Sequence, residues 1–246
     1  MLQFRLAGVP VEVETSFLLV GLLGWGVFTG VNIIAWILAA FTAVLLHEMG
    51  HALTARRFGA SVAIRLHAFG GVTSWGSATP LSSGRRFLVA AAGSFIGMVV
   101  AGVSLLIVAG GTFGSLNELD AMLSEPGGTY RMFPTVVRAF LYGFWWAAIG
   151  WGILNWLPIR GLDGRHMLDA VLERVAPRRG AAIGRAIGIF TGVGAAIVGA
   201  IYGQWLAVII AVMLTLPELR SDTPRPIETV KPRQSAQSPS EEEFPI

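Results

Sequence analysis

Four long stretches of the chain contain no charged residue, and they constrain its fold more than any other feature. They are Thr15–His47, Phe87–Asn117, Ala139–Ile159 and Ala186–Pro217, nearly half of the 246 residues. A transmembrane helix needs about 20 predominantly apolar residues, and each stretch is at least that long. Since 54% of the residues are hydrophobic and only 13% are charged, we predict an all-α polytopic membrane protein and not a soluble domain.

The arginines around these stretches predict how often the chain crosses the membrane. Arg5 precedes the first stretch and Arg56 follows it, and the positive-inside rule places both in the cytoplasm. The first stretch must then hold two spans, roughly Ser16–Thr29 and Ile33–Arg57. The same parity argument divides the last stretch near residues 202–204. With one span in each middle stretch, we expect about six transmembrane helices in the cell (inner) membrane, with both termini cytoplasmic.

The predicted topology accounts for the excess of basic over acidic residues. The net charge is +3, and we interpret the basic residues as cytoplasmic flanks in contact with the lipid bilayer and expect no nucleic-acid partner. The least basic connection, Gly111–Arg138, is the predicted outside loop.

Three segments complete the predicted organisation. Residues 1–14 form an N-terminal cytoplasmic strand or hairpin, residues 15–217 the six-span core, and residues 218–246 a disordered cytoplasmic tail rich in Pro, Ser and Glu. Alternation at Val62–Trp75, followed by turn glycines, predicts a small β-ribbon on the cytoplasmic side. Leu162–Val175 has one apolar face and one charged face, as a helix in the membrane interface does.

The chemistry centres on an H-E-x-x-H sequence at residues 47–51. The chain has no cysteine, so a metal must be held by histidines and carboxylates. On a helix, His47 and His51 share one face and can converge on Zn²⁺, while Glu48 can reach a water molecule at the metal. These residues stand inside an apolar helix, where ionisable groups are costly and usually functional. Bridging between helices is the alternative explanation.

A zinc site of this type needs a third protein ligand. The candidates are His67, His166 and the carboxylates, and Asp163 stands out among them. It follows the fourth predicted span, at a point where Pro158 and Gly161 break the helix and let the chain turn back. Both motifs are predicted on the cytoplasmic side of the membrane.

These motifs together resemble those of the site-2 protease family of intramembrane zinc metalloproteases. The resemblance is carried by H-E-x-x-H at 47–51, the pair Gly70-Gly71 and the N-x-x-P-x-x-x-x-D-G run at Asn155–Gly164, and it extends over roughly Leu2 to Pro217. It implies a zinc-dependent intramembrane endopeptidase.

The resemblance also implies roles for individual residues. The zinc ligands would be His47, His51 and Asp163, the catalytic base would be Glu48, and Asn155 would lie near the scissile peptide. The alternative for Asn155 is a helix cap beside the proline three residues further on.

The chain departs from the family pattern at Ala92–Gly97. Many members carry A-G-P-x-x-N there, and this chain lacks the Pro and the Asn, which affects the expected kink of that helix but no zinc residue. The outside loop and the tail are each too short for a PDZ domain or a CBS pair. We therefore expect a minimal catalytic core, with any PDZ-type or regulatory function on a separate partner.

The β-ribbon offers a place for substrate. A transmembrane helix is a poor protease substrate because its carbonyls are already hydrogen-bonded, whereas an extended segment could add to a ribbon edge. Gly70, Gly71 and Val72 are the predicted substrate-binding residues. A loop plug or a strand on the membrane surface is the alternative.

The function expected from these residues is cleavage of a single-span membrane protein within its transmembrane segment, such as a membrane-tethered transcription regulator, with release into the cytoplasm. A zinc-binding transporter or channel is the first alternative. It would need ionisable residues in several spans, and the stretches Phe87–Asn117 and Ala186–Pro217 contain no Asp, Glu, His, Lys or Arg. A catalytically inert homologue is the second alternative. The presence of Glu48 and of all three expected ligands argues against it.

Overall fold

The computed structural model of the chain describes residues 1–24, 27–112 and 135–220. Most of the predicted outside loop and nearly all of the predicted tail lie outside these residues. The described helices are α1 (Asn32–Arg57), α2 (Ser83–Thr112), α3 (Thr135–Leu154, with a π-helical turn at Trp146–Gly150), α4 (Asp163–Val175), α5 (Gly180–Ile201) and α6 (Trp205–Arg220).

Four of these helices, α1, α2, α3 and α5, are long and apolar enough to cross a membrane. The six expected spans are therefore not all confirmed. The predicted first span is occupied by a 3₁₀ helix of 10 residues, Thr15–Gly24, and the predicted last span by α6, with 16 residues. At rises of about 2.0 and 1.5 Å per residue they measure roughly 20 and 24 Å, less than the hydrocarbon thickness of about 30 Å.

The division of the last uncharged stretch falls where the sequence predicted it. Helix α5 ends at Ile201 and α6 begins at Trp205. Between them Gly203 has a φ of 67°, a left-handed conformation that glycine adopts without steric cost. The two helices then pack against each other as a hairpin.

A four-stranded sheet accompanies the helices, with strands β1 (Leu2–Leu6), β2 (Val9–Val13), β3 (Ser61–His67) and β4 (Gly70–Gly76) in that order. The N-terminal hairpin and the ribbon are two antiparallel pairs, and β2 joins β3 in parallel. The expected ribbon is thus one half of a mixed sheet.

Helix α1 is the central element of the fold. One side of it packs against α2 and α3 through small residues such as Ala39 and Ala43. The other side meets the sheet, where Met49 and Ala52 pack into a core with buried residues of β2 and β3. Because β4 also contacts α1, the sheet lies beside the turn of α1 that carries the H-E-x-x-H sequence.

Candidate metal centre

Helix α1 presents the two histidines as the four-residue spacing predicts. Glu48 and His51 are buried, and His47 is nearly so. The Nε2 atoms of His47 and His51 are 3.0 Å apart. At this distance a proton or a metal ion between the two nitrogens would remove the repulsion of their lone pairs.

The loop after α3 returns Asp163 to these histidines. The last turn of α3 ends at Asn155, Gly161 has a φ of 89°, and the Gly164 amide donates to the Asn155 carbonyl at 2.7 Å. A Cβ on Gly164 would lie 2.0 Å from the Trp156 carbonyl oxygen, so only glycine allows this close return. Asp163 is the first residue of α4.

Asp163 completes a set of three donors. Its Oδ2 is 3.1 Å from His47 Nε2, and its Oδ1 is 3.3 Å from His51 Nε2. Zinc bonds of about 2.0–2.1 Å in a tetrahedral site place neighbouring ligand atoms about 3.3 Å apart. The donor atoms of the three residues lie within 4.8 Å of one another, with His47 and His51 nearest to different oxygens of Asp163, and two imidazoles with one carboxylate leave a fourth position free. His47, His51 and Asp163 therefore fit a zinc ion.

The ionisation of Asp163 suits a ligand. Burial acts to raise the pKa of its carboxyl, but hydrogen bonds from His47 and His51, together with the positive charge of these imidazoles, outweigh burial and hold the pKa below its ordinary value. The group is consequently a carboxylate at neutral pH.

A backbone carbonyl orients His51. Its Nδ1 is 2.7 Å from the Val89 carbonyl oxygen, and because a carbonyl only accepts, Nδ1 carries a proton. Nε2 is then the ring nitrogen that would bind a metal, in place of its proton, as in metal sites whose histidines donate their other ring N–H to a backbone carbonyl.

Helix α2 approaches the centre closely because its residue there is glycine. A Cβ on Gly93 would lie 2.2 Å from His51 Nε2, and a Cβ on Gly50 would lie 2.5 Å from the Ala92 carbonyl oxygen. The next residue, Ser94, is fully buried and donates its hydroxyl to Asp163 Oδ2 at 3.2 Å. Ser94 stands where the family pattern has proline, and Ser83–Thr112 forms one helix through this position.

Strand β4 lies against Glu48. The Thr73 hydroxyl is 2.6 Å from Glu48 Oε2 and 3.1 Å from the Glu48 carbonyl oxygen. A Cβ on Gly71 would lie 2.4 Å from Glu48 Cγ. Of the other ribbon residues singled out in the sequence, Gly70 has a φ of 118° as the first residue of β4, and Val72 is exposed.

The structure also places the remaining candidates. Asn155 is buried, and its Nδ2 is 3.3 Å from His47 Nε2, so it borders the centre as well as ending a helix. His67 accepts from the Phe69 amide in the β3–β4 turn, and His166 is exposed on α4. Neither belongs to the group of three described side chains that could hold a metal ion.

Sequence reasoning did not find Val89, Thr73 or Ser94. A carbonyl contact has no sequence signature, since every residue has one. Thr73 and Ser94 could have been noticed as polar residues next to the glycines of the two motifs, Gly70-Gly71 and Ala92-Gly93.

Comparison with known proteins agrees with this geometry. The model of peptidase family M50 matches residues 35–199, so the chain belongs to peptidase family M50, the site-2 protease family.

Among curated proteins, the chain is 30% identical over 191 residues to the "Putative zinc metalloprotease Rip3" of Mycobacterium tuberculosis, covering 69% of this chain and 43% of the relative. It is 25% identical over 175 residues to the "Zinc metalloprotease MJ0392" of Methanocaldococcus jannaschii, covering 70% of this chain and 45% of the relative. The chain thus spans less than half the length of these relatives.

Among solved structures, the "Site-2 Protease from Methanocaldococcus jannaschii" aligns with a TM-score of 0.59 at 19% identity, over 94% of this chain and 99% of the other. At this identity the match shows that the two chains share a fold.

Proposed function

We propose that the protein is a zinc-dependent intramembrane endopeptidase. The observation that carries the proposal is the convergence of His47 and His51, which lie inside the apolar helix α1 next to Glu48, with Asp163 from α4. Family membership supports a metallopeptidase, and a structural role alone does not require three potential zinc ligands to converge.

The two imidazoles and the carboxylate would hold the metal. When bound, zinc would activate a water molecule by lowering its pKa toward about 7, and it would polarise the scissile carbonyl. The protein's own contribution is to present three donors and one open position, in a largely buried site where charge interactions are weakly screened.

Glu48 would be the general base. It accepts the proton of the attacking water and then delivers this proton to the leaving amide nitrogen, so the carboxylate returns to its starting state. The Thr73 hydroxyl holds one oxygen of Glu48. The other oxygen would be the one that takes the proton from the water, and Gly71 leaves space for the side chain, since a Cβ there would lie 2.7 Å from that oxygen.

Asn155 would bind the substrate carbonyl. Its amide group borders His47, which places an N–H donor next to the position where negative charge develops on the carbonyl oxygen. A donor of this kind contributes roughly 10²–10³-fold in rate, about 3 kcal/mol.

The outer edge of β4 would receive the substrate strand. β4 is last in the order of the described sheet, and it contacts the base through Thr73 and Gly71. An extended segment paired along Gly70, Gly71 and Val72 would bring its carbonyls toward Glu48 by backbone hydrogen bonding. This arrangement solves the problem that a helical substrate has no free carbonyl.

The biological role that fits is regulated proteolysis of a single-span membrane protein, such as a tethered transcription regulator. We place the enzyme as a multi-pass protein of the cell membrane, with termini and active site toward the cytoplasm. This orientation rests on the arginine distribution.

The test uses the purified full chain and a single-span substrate in the same detergent. We expect the wild type to bind zinc and cleave, and chelation to stop cleavage. Glu48→Gln keeps the shape of the side chain, so it should retain zinc while cleavage falls at least about 100-fold.

Glu12→Gln is the matched control. Glu12 pairs with Arg65 on the sheet, so this variant should cleave the substrate normally. Normal cleavage by Glu48→Gln would contradict the proposed base. A wild type without zinc would contradict the metal centre.

A further inference from the structure

Two consecutive residues of α2 face two of the three metal-binding side chains. Gly93 lies under the His51 ring, and Ser94 directs its hydroxyl to Oδ2 of Asp163 at 3.2 Å. The same Oδ2 atom is 3.1 Å from His47 Nε2, while Oδ1 faces His51. Ser94 therefore contacts the carboxylate at the centre of the donor set.

The hydroxyl of Ser94 is in an unusual environment for a helical serine. Serines inside helices commonly bond back to the carbonyl one turn earlier, as Ser104 does on the same helix, with its hydroxyl 2.8 Å from the Ala101 oxygen. Ser94 is 0% exposed, so its donor must be satisfied inside the protein. A carboxylate is a strong acceptor for it.

Asp163 needs such a restraint more than the histidines do. His47 and His51 are held four residues apart on one rigid helix, and Val89 fixes the His51 ring. Asp163, in contrast, comes from a different element, directly after a glycine-containing loop. Its carboxylate can turn about two side-chain bonds unless a neighbour fixes it.

We propose that Ser94 is a positioning residue for the metal centre, holding the Asp163 carboxylate in the orientation that meets both imidazoles. This inference rests on the proposed zinc site. It assigns a role to a position where the family pattern has proline, which has no side-chain donor. Partners behind metal ligands typically change metal affinity by 10–100-fold when they are removed.

The experiment measures zinc affinity of the purified full chain by competition with a chelator. Ser94→Ala removes the donor with little change in volume, and we expect zinc to bind 10–100-fold more weakly. Ser104→Ala is the matched control, because this serine bonds Ala101 and Trp145, away from the site. Its affinity should stay within about two-fold of the wild type, since it lacks any contact with a ligand.

Two further measurements separate positioning from a packing defect. With Co²⁺ in place of zinc, Ser94→Ala should shift the visible absorption bands, which report the ligand geometry. In an Asp163→Ala background, Ser94→Ala should cause no further loss of affinity, because its effect passes through Asp163. A packing defect would instead add to the loss.

The outcomes distinguish this inference from the proposed function. A wild type that binds no zinc overturns the metal centre itself. A wild type that binds zinc, with unchanged affinity and an unchanged Co²⁺ spectrum in Ser94→Ala, overturns the role of Ser94 and leaves the protease proposal intact.

Discussion

Gly93 is the position where the smallest substitution should do the most damage to the metal centre. A Cβ there would lie 2.2 Å from Nε2, 2.5 Å from Cε1 and 2.7 Å from Cδ2 of His51, whereas ordinary contact begins near 3.4 Å. In Gly93→Ala the ring must therefore move by about 1.2 Å, or α2 must move by as much.

Neither movement is easily accommodated. The α1 and α2 backbones already touch, since a Cβ on Gly50 would lie 2.9 Å from the Gly93 Cα. The His51 ring is held from behind by Val89. Metal–ligand distances tolerate only about 0.2 Å, and a displacement near 1 Å can reduce a rate by about 10²-fold. We expect Gly93→Ala to weaken zinc binding and to slow cleavage by at least 100-fold.

The control comes from the same helix, one turn further on. A Cβ on Gly97 would meet nothing within 4 Å, so Gly97→Ala should bind zinc and cleave as the wild type does. Chelator competition and cleavage of a single-span substrate measure both effects. Wild-type zinc affinity in a folded Gly93→Ala protein would refute the close packing of α2 on His51.

Two more substitutions test contacts around the centre. Thr73→Val removes the hydroxyl that holds Glu48 and should lower kcat roughly 10-fold, with zinc content unchanged. The control variant Thr73→Ser keeps a hydroxyl and should retain most of the activity. Equal rates for the two variants would contradict the proposal that Thr73 orients Glu48. Glu218→Ala removes a carboxylate that is 2% exposed and paired with Arg165 of α4, and it should cost about 3 kcal/mol of stability in a thermal melt. Glu173→Ala, at a pair that is half-exposed, should cost less than about 1 kcal/mol, and similar losses for the two would contradict the burial argument.

The candidate site could be predicted because its groups stand out by position. Ionisable residues are rare in apolar helices, so His47 and Glu48 were conspicuous, and the helix breakers before Asp163 indicated a chain that turns back. The limits of α1 followed from the uncharged stretch and from Arg56–Arg57, whose charge ends the apolar pattern.

The sheet was harder to predict, because its central pairing joins distant parts of the chain. Val11 pairs with Ile64 and Val13 with Leu66, more than 50 residues apart in sequence. Alternation predicts strands but says nothing of their neighbours. The contacts of Thr73 and Ser94 with the site depend on the same long-range packing, and no local pattern contains them.

In the N-terminal stretch the arginine positions predict a membrane span, whereas the helix found there has only 10 residues. The Arg56 guanidinium donates to the Ala7 carbonyl at 2.6 Å, so the hairpin lies at the C-terminal end of α1. From there the chain runs antiparallel to α1. Successive contacts join Phe17 to Phe41 and Gly21 to Ile37, and the Val20 carbonyl accepts from the Trp36 indole.

The helix Thr15–Gly24, with 10 residues, is shorter than the roughly 20 residues of a transmembrane α-helix, so the predicted first span is not confirmed. A 3₁₀ helix rises about 2.0 Å per residue, a third more than an α-helix, so fewer residues cover a given depth. Gly24 permits close contact with α1, since a Cβ there would lie 2.5 Å from the Trp36 ring. The segment is thus stabilised by packing on α1 and not by its own length. The arginine positions predict the side of the membrane on which each connection lies, whereas the contacts of this segment with α1 have no signature in its own sequence.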